Sequence, residues 1–373
     1  MYRFFFTIYT DSKGKLRNIW ISGCVLCYIA VMFNITILSV LRRRNLSSPA
    51  TVLMQGLAIT DALTSFCSYG FEFLFQLKYE NDIHEIRKLT LSYPYCAMYV
   101  HMSLLTEMFH LVSTALTLSI GIQKCVAMRF PIWTRIYLTK RKSLAVCLIS
   151  FIVCIIIHVP RNLTLIVKAH EERDGYCVTT YRNEQLLAYS SLYFTMINTV
   201  LLTGFCVVML LSTIYIVYKF ITTSNLRHKR VSKRTRQSAL LVVFIMIIYL
   251  IIEIPKVLIY IVFASKSLVE FDKPNNIFYS LWVIENNKNA MTSILAYGTN
   301  IFNDIFPVAI ERWEFLLFLN EGRKIFTLFG CMSNFVIYIS MSSKIRKELK
   351  LMFKNSIRSI STLQRRHTGI FYV

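Results

Sequence analysis

Residues 333–338 read Ser-Asn-Phe-Val-Ile-Tyr, and this stretch places one amide and one phenol inside an apolar run that turns basic soon afterwards. Asn334 and Tyr338 are four residues apart, about one helical turn, so a helix puts both side chains on one face. Inside a membrane a polar face needs protein partners, because no water is there to hydrogen-bond it. The stretch therefore predicts other apolar helices that carry polar side chains toward it.

The composition indicates a membrane protein. Hydrophobic residues make up 55% of the 373-residue chain and charged residues 17%, and the mean hydropathy is +0.50. Such a chain is too apolar for an ordinary soluble domain or a disordered segment. Windows of about 20 residues, which cross a bilayer core of about 30 Å, predict seven spans. They lie near 19–41, 50–76, 95–126, 143–161, 189–220, 235–263 and 313–341. The predicted fold is an all-α membrane protein, a seven-transmembrane helix bundle.

The net charge of +22 is unevenly distributed along the chain. The segments on one side of the predicted membrane are strongly basic and hold a single acid, Glu348, whereas acids and bases nearly cancel on the other side. The positive-inside rule then predicts an extracellular amino terminus (1–18) and a cytoplasmic carboxyl tail (342–373) at the plasma membrane. A nucleic-acid partner is not predicted, because it does not explain this alternation.

Two of the ten cysteines lie outside the apolar spans. Cys96 stands at the predicted outer start of the third span, and Cys177 lies in the next outer loop. Both face an oxidising compartment, which favours a disulfide that ties this loop to the third span. The alternative is two unpaired thiols.

Charged side chains inside predicted spans mark function or interhelical pairing, because charge is costly there. These are Asp61, Glu72, Glu107 and Glu253, with Lys124 and Lys256 near span ends or pockets. Leu-Ala-Ile-Thr-Asp at 57–61 resembles the Leu-Ala-x-x-Asp of rhodopsin-like (class A) G-protein-coupled receptors, and 334–338 resembles their Asn-Pro-x-x-Tyr. Residues 123–125 stand where that family has Asp-Arg-Tyr. The resemblance implies a receptor domain over 19–341, with a long outer loop at about 264–312 and a short amphipathic eighth helix after it.

Within that family the chain most resembles divergent invertebrate neuropeptide receptors of the FMRFamide and myosuppressin type. The residues that carry this resemblance are 47–61, His-Leu-Val-Ser-Thr-Ala-Leu-Thr-Leu at 110–118 and Ile-Ile-Glu-Ile-Pro at 251–255. The resemblance implies two protein partners. One is an extracellular peptide ligand, amidated and ending in Arg-Phe, and the other is a heterotrimeric G protein.

Two sets of polar residues with the same helical spacing are the candidate ligand site. Residues at i, i+3 and i+7 share one face of a helix. The sets are Glu107, His110 and Thr114 in the third span and Glu253, Lys256 and Tyr260 in the sixth. The carboxylates of Glu107 and Glu253 would hold a ligand guanidinium through charge-assisted hydrogen bonds. The alternative is internal pairing, for instance of Glu253 with Lys256 or of Glu107 with His110.

A second candidate site lies in the middle of the predicted bundle. The resemblance implies that Asp61, Ser113 and Asn334 form a polar network with a sodium ion, and Asn34 is the polar landmark of the first span. Carboxylate, hydroxyl and amide oxygens are the ligands that a hard cation accepts. The alternative is a hydrogen-bonded structural cluster, and no other cofactor is predicted.

The resemblance also implies a switch that couples to the G protein. Its residues are Gln123, Lys124, Cys125, Pro255 and Tyr338. Two positions in these motifs depart from the family pattern. Lys124 stands where the family has arginine, and it lacks the planar fork of a guanidinium. Phe335 stands where the family has a proline that breaks the helix.

The last predicted helix is amphipathic. Ile345, Leu349, Met352 and Phe353 fall on one side and lysines on another, as a helix on a membrane surface requires, so lipids are expected partners.

The sequence favours three other functions less. A catalyst is not predicted, because the chain has no phosphate loop, metal-binding helix or nucleophile elbow. An ion-coupled transporter remains an alternative, although no inverted repeat is evident. A chemosensory, decoy or degenerate receptor of the same fold is the other.

Overall fold

The computed structural model describes residues 4–5, 8–9, 15–43, 48–81, 88–91, 93–169, 177–181, 194–225, 233–271, 313–352 and 354. Helices dominate this part of the chain. They are α1 (Lys15–Leu41), α2 (Pro49–Tyr69), α3 (Glu72–Gln76), α4 (Tyr95–Arg129), α5 (Pro131–Tyr137), α6 (Lys140–Thr164), α7 (Phe194–Asn225), α8 (Lys233–Phe271), α9 (Trp313–Met341) and α10 (Ser343–Met352). Most of the predicted outer loop at 264–312 lies outside the described residues.

The helical bundle predicted from the sequence is confirmed. Among the described residues, six helices are long and apolar enough to cross a membrane. Their apolar segments are Arg17–Leu41, Pro49–Gln76, Tyr95–Arg129, Lys140–Leu163, Met196–Lys219 and Ala239–Leu258. A seventh, Glu321–Ser340, meets the same criterion together with α10, from which it is separated by a bend of 97°. The chain is therefore a multi-pass membrane protein.

Helix α4 lies at the centre of the bundle. It packs against α2, α6, α7 and α8, while α1 packs against α2 and α9 and closes the circle. One large hydrophobic cluster fills the interior, and its fully buried members include Leu57, Val112, Leu116 and Met246. Isoleucine and leucine side chains on the outer faces of α6 and α7 are exposed, among them Ile156 and Leu211. Such an apolar exterior belongs in lipid.

Local sequence explains where the described helices begin. The hydroxyl of Ser48 accepts a hydrogen bond from the Thr51 amide at 3.2 Å, and Pro49 occupies the first turn of α2. Proline is favoured there, because the first amides of a helix have no intrahelical acceptor. Pro131 opens α5 in the same way.

Six short strands were not predicted from the sequence. They form two antiparallel three-stranded sheets at the end of the bundle where α1 begins. In one sheet β1 (Phe4–Phe5) pairs with β6 (Cys177–Tyr181), which pairs with β5 (Leu165–Ala169). In the other, β2 (Ile8–Tyr9) pairs with β4 (Lys88–Leu91), which pairs with β3 (Tyr79–Asn81). Strands of two to five residues give too short an alternation to be recognised in an apolar sequence.

Cys96, in the first turn of α4, is disulfide-bonded. Eight other cysteines are free thiols inside the helices. The side chain of Cys177, at the start of β6, lies outside the described residues. The pairing of Cys96 with Cys177 therefore stays a prediction.

Candidate functional site

A buried carboxylate joins three helices in the middle of the bundle. Asp61 on α2 accepts hydrogen bonds from the Ser113 hydroxyl on α4 at 2.5 Å and from the Asn334 amide on α9 at 2.6 Å. All three side chains are almost fully buried. The structure thus brings together the three residues that the sequence places in one polar network.

Tyr249 on α8 is a fourth member that the sequence prediction missed. Its hydroxyl donates to Asp61 at 3.1 Å and lies 2.5 Å from the Ser113 hydroxyl. The available signal was its position four residues before Glu253, which puts both on one helical face. With Tyr249, the Asp61 carboxylate connects α2, α4, α8 and α9.

Asn34 joins this network through the backbone. Its amide donates to the carbonyl of Ala30 at 3.0 Å and to that of Cys331 on α9 at 3.2 Å. Asn34 therefore holds α1 against α9 at Cys331, about one turn before Asn334. Among the bonds described, Asn34 makes none to Asp61.

The donor set partly fits a hard cation. The oxygens of Asp61 and Ser113 are ligands of the required type. The buried Oδ1 atoms of Asn34 and Asn334 have no hydrogen-bond partner among the described residues, and Asn334 itself contacts the carboxylate through its amide nitrogen. The three hydrogen bonds to Asp61 equally suit the alternative, a hydrogen-bonded cluster without an ion.

A second buried carboxylate, Glu253, joins α4 and α8 nearer the end of the bundle where α1 begins. It is 0% exposed. His110 Nε2 lies against its Oε1, and the Thr114 hydroxyl donates to the same oxygen at 3.1 Å. Lys256, 3% exposed, lies 4.0 Å from Oε2. Four of the six predicted ligand-site residues therefore meet at one point. The side chain of Tyr260 lies outside the described residues.

Among the ion pairs described, Glu107 makes none with His110, the internal partner that the sequence suggested. Arg161 on α6 donates to it at 3.1 Å, and Arg323 on α9 lies at 3.8 Å. His110 contacts Glu253 on α8 instead. Arg161 lies in the last turn of α6 and Arg323 inside α9, and no motif in the sequence singled out either of them. The Glu107 side chain is 18% exposed and is the more accessible of the two carboxylates.

A third charged cluster ties α9 to α2 and α4. Lys324 donates to Glu321 at 2.7 Å and to the Tyr99 hydroxyl at 3.3 Å, and Tyr69 donates to Glu321 at 2.6 Å. The sequence prediction missed all four residues. It counted Glu321 and Lys324 as part of a span end, and no motif singled out Tyr69 or Tyr99. Together with Glu107 and Glu253, this cluster gives the half of the bundle where α1 begins a layer of internal ion pairs.

Comparison with known families decides the class of the protein. Residues 22–356 match the family described as serpentine type 7TM GPCR chemoreceptor Srw. The chain belongs to the Srw family. No curated protein matches the sequence significantly.

The family match confirms the predicted G-protein-coupled receptor activity and excludes an enzyme. It supports neither the rhodopsin-like class nor the FMRFamide-type subgroup that the motifs resemble. The Srw receptor has an extracellular ligand and a G protein as partners.

The other end of the Srw receptor holds four of the five predicted switch residues. Gln123 is buried, Lys124 is partly buried, and the Cys125 thiol faces the Ser212 carbonyl of α7 at 3.5 Å. Tyr338 is 1% exposed, and its hydroxyl has no hydrogen-bond partner among the described residues. The fifth predicted switch residue, Pro255, does not lie at this end: it is within α8, two residues after Glu253.

Two arrangements fix the last helices of the Srw receptor. Phe335 stacks on Phe33 of α1 with ring centroids 4.3 Å apart, and α9 runs through this position without a break. Beyond α9, Glu348 of α10 pairs with Arg43 after α1 at 3.2 Å. Ile345 is buried, and Leu349 and Met352 pack against the core. Phe353 lies outside the described residues.

Proposed function

We propose that this Srw receptor acts at the plasma membrane with its amino terminus outside, binds its ligand among the ion pairs in the outer half of the bundle, and signals through the opposite end. The observation that carries the proposal is the position of Glu253. A fully buried carboxylate held from both α4 and α8 makes the distance between these two helices depend on its charge partners. A ligand that changes those partners changes how α4 and α8 pack.

The ligand class is the finer part of the proposal. We infer a short amidated peptide ending in Arg-Phe, whose guanidinium exchanges with Arg161 or Arg323 at Glu107. A ligand arginine can bind a carboxylate through two parallel N–H groups, whereas Arg161 contacts Glu107 through one nitrogen at 3.1 Å and Arg323 lies at 3.8 Å, so the ligand can replace either contact. Glu107 is the first contact, because it is the more exposed carboxylate. Displacing Arg161 or Arg323 releases the tie between α4 and α6 or α9.

The hydrogen bonds around Asp61 would transmit the change in the packing of α4 and α8 toward the opposite end of the bundle. Asp61 bonds to α4, α8 and α9 at once, so a rotation of α8 alters the contact of Tyr249 and the position of Asn334. Asn334 and Tyr338 share a face of α9, and Tyr338 reaches the end where the G protein binds. A sodium ion on Asp61 and Ser113 would stabilise the packing before the ligand arrives.

The test is a second-messenger assay in cells that express the receptor at their surface. A panel of amidated peptides is applied to the native receptor and to Lys124→Arg, which restores a planar guanidinium at the predicted G-protein contact. We expect a response from at least one Arg-Phe peptide. Silence of both receptors across a broad panel would favour a decoy receptor, and solute flux without a G-protein response would favour a transporter.

A matched pair of ligands tests the role of Glu107. The active peptide is compared with one that carries citrulline, a neutral isostere of arginine. Loss of a charge-assisted hydrogen bond corresponds to about tenfold or more in affinity. Glu107→Gln should therefore weaken the arginine peptide by about that factor and leave the citrulline peptide nearly unchanged. Equal losses for both peptides would show that Glu107 is only a structural residue.

A further inference from the structure

The amino-terminal segment of the receptor adds a strand to both sheets at the end of the bundle where α1 begins. Strand β1 lies along one edge of β6, with Phe4 opposite Thr179 and Phe5 opposite Val178. Strand β2 lies along one edge of β4 in the other sheet. The receptor function proposed above makes no use of either strand.

The two strands form one strap, defined here as residues 4–9. Only residues 6 and 7 separate Phe5 of β1 from Ile8 of β2. Because successive Cα atoms are about 3.8 Å apart, the Cα atoms of Phe5 and Ile8 lie within about 11 Å of each other. The strap therefore ties the β5–β6 pair to the β3–β4 pair, and the release of one strand loosens the other.

The edge of β6 is longer than the strand that covers it. β6 has five residues, Cys177–Tyr181, and β5 pairs with all five along the opposite edge. β1 pairs with two of them, Val178 and Thr179. A contact of two residues is marginal on its own, because it gains little for the backbone order that it requires. β1 is therefore held chiefly by its covalent tether, and a longer strand could replace it.

The β5–β6 pair lies next to the proposed ligand site. β5 begins at Leu165, directly after the end of α6 at Thr164. Arg161, which donates to Glu107, is four residues before Leu165, about 6 Å along the helix axis. The edge that β1 covers is two strand spacings beyond β5, about 10 Å. These distances add up to about 16 Å, which five extended residues span at about 3.3 Å each. A peptide of that length with its arginine at Glu107 would reach the edge of β6.

We propose that the edge of β6 is a docking site for an extended peptide and that the strap blocks it in cis. An incoming strand would pair its backbone along β6 in place of β1, a mode of binding in which main-chain hydrogen bonds supply the affinity. This inference rests on the proposed function for the identity of the natural occupant, the peptide ligand. It adds that the ligand displaces the receptor's own amino-terminal strand when it binds.

The test asks whether the opened edge accepts a strand in trans. The probe is a fluorescent synthetic copy of residues 3–9, Arg-Phe-Phe-Phe-Thr-Ile-Tyr. Its matched control carries N-methyl groups at the positions of Phe4 and Phe5. Alternate residues of a strand direct their N–H groups to the same edge, so methylating two neighbours removes the donor whichever of them faces β6. Fluorescence anisotropy measures binding to the purified full-length receptor in detergent, and hydrogen–deuterium exchange of residues 177–181 locates the bound copy.

Two variants open the edge by different routes. The first carries Phe4→Pro and Phe5→Pro, because proline has no N–H group to donate to a neighbouring strand. The second lacks residues 2–9 and does not depend on the tolerance of proline. The control variant carries Thr10→Pro and Ser12→Pro, which places two prolines in the same segment but outside β1 and β2.

We expect both open-edge variants to bind the copy at least about tenfold more tightly than the native and control receptors, since a tethered strand competes at a roughly millimolar effective concentration. The bound copy should slow exchange at residues 177–181, and the N-methylated copy should not bind. The proposal is overturned if native and open-edge receptors bind the copy equally, or if neither binds it. It is also overturned if the N-methylated copy binds as well, or if binding leaves residues 177–181 unprotected.

The copy does not end in an amidated Arg-Phe, so this experiment is independent of the second-messenger assay. Silence of the receptor toward amidated peptides, together with binding of the copy, would refute the proposed ligand and leave the docking edge in place. A response to an amidated peptide without binding of the copy would refute the docking edge alone.

Discussion

The Asn334 amide donates to the Asp61 carboxylate at 2.6 Å and thereby joins the last membrane helix to the second. The residues are 273 positions apart in sequence, and both are almost fully buried. A buried carboxylate depends on its donors, since each one removed leaves charge without compensation. The stability of the bundle should therefore be sensitive to this single amide.

Asn334→Ala should destabilise the receptor by about 1–3 kcal/mol, because it removes one donor from a buried carboxylate. Ser333→Ala is the matched control on the same helix, because the Ser333 hydroxyl bonds only to the nearby Gly330 carbonyl at 2.7 Å among the bonds described. Thermal unfolding of the purified receptor in detergent measures the difference. Equal melting temperatures for the two variants would contradict the importance of the Asp61 contact.

The proposed sodium site makes the melting temperature depend on the cation. We expect the native receptor to melt at a higher temperature in sodium than in choline chloride at equal ionic strength, because an ion that binds only the folded state stabilises it. Asp61→Asn should abolish the difference by removing the charged ligand. If the native receptor melts alike in both salts, the hydrogen-bonded cluster is the correct description.

Glu253→Gln should cost about 3–5 kcal/mol of stability, because it leaves Lys256 buried without its nearest carboxylate. Adding Lys256→Met to this variant removes the buried charge and should recover part of the loss. Unfolding of the single and double variants measures the recovery. If the double variant is no more stable than the single one, the contact of Glu253 with His110 and Thr114 is the dominant one.

Gly121, the one glycine of α4, faces Met246 of α8. A Cβ atom at this position would lie 2.4 Å from the Met246 sulfur, so Gly121→Ala forces α8 or its side chain to move. Overpacking of this kind costs about 1–3 kcal/mol. Gly204→Ala is the control, because no atom lies within 4 Å of a Cβ there. The control should be neutral or stabilised by up to about 1 kcal/mol. Thermal unfolding of both variants checks this, and similar losses would contradict it.

Phe335 stands where a helix break was expected from the family resemblance. Phe335→Leu should cost about 0.5–1.5 kcal/mol, because it removes the stack on Phe33. Phe335→Pro should cost about 3 kcal/mol more, since proline interrupts a helix that is continuous here. Melting temperatures of the two variants test this order. A proline variant more stable than the leucine variant would show that α9 is strained at this position.

The sequence predicted the helices well and their mutual rotation poorly. Apolar length alone located the spans, and the family resemblance is what grouped Asp61, Ser113 and Asn334 in one network. Tyr249 did not stand out, because tyrosine is common in such helices. The partners of Glu107 could not be predicted either. They depend on how α4, α6 and α9 are rotated, which only packing determines.

The two hydrogen bonds from Arg346 brace the corner between α9 and α10, so the two helices turn as one rigid elbow. With ten residues, Ser343 to Met352, α10 is a lever arm about 15 Å long. If α9 tilts by about 5°, the far end of that arm moves by roughly 1 Å. The elbow therefore converts a small tilt of α9 inside the bundle into a displacement of the far end of α10 at the membrane surface.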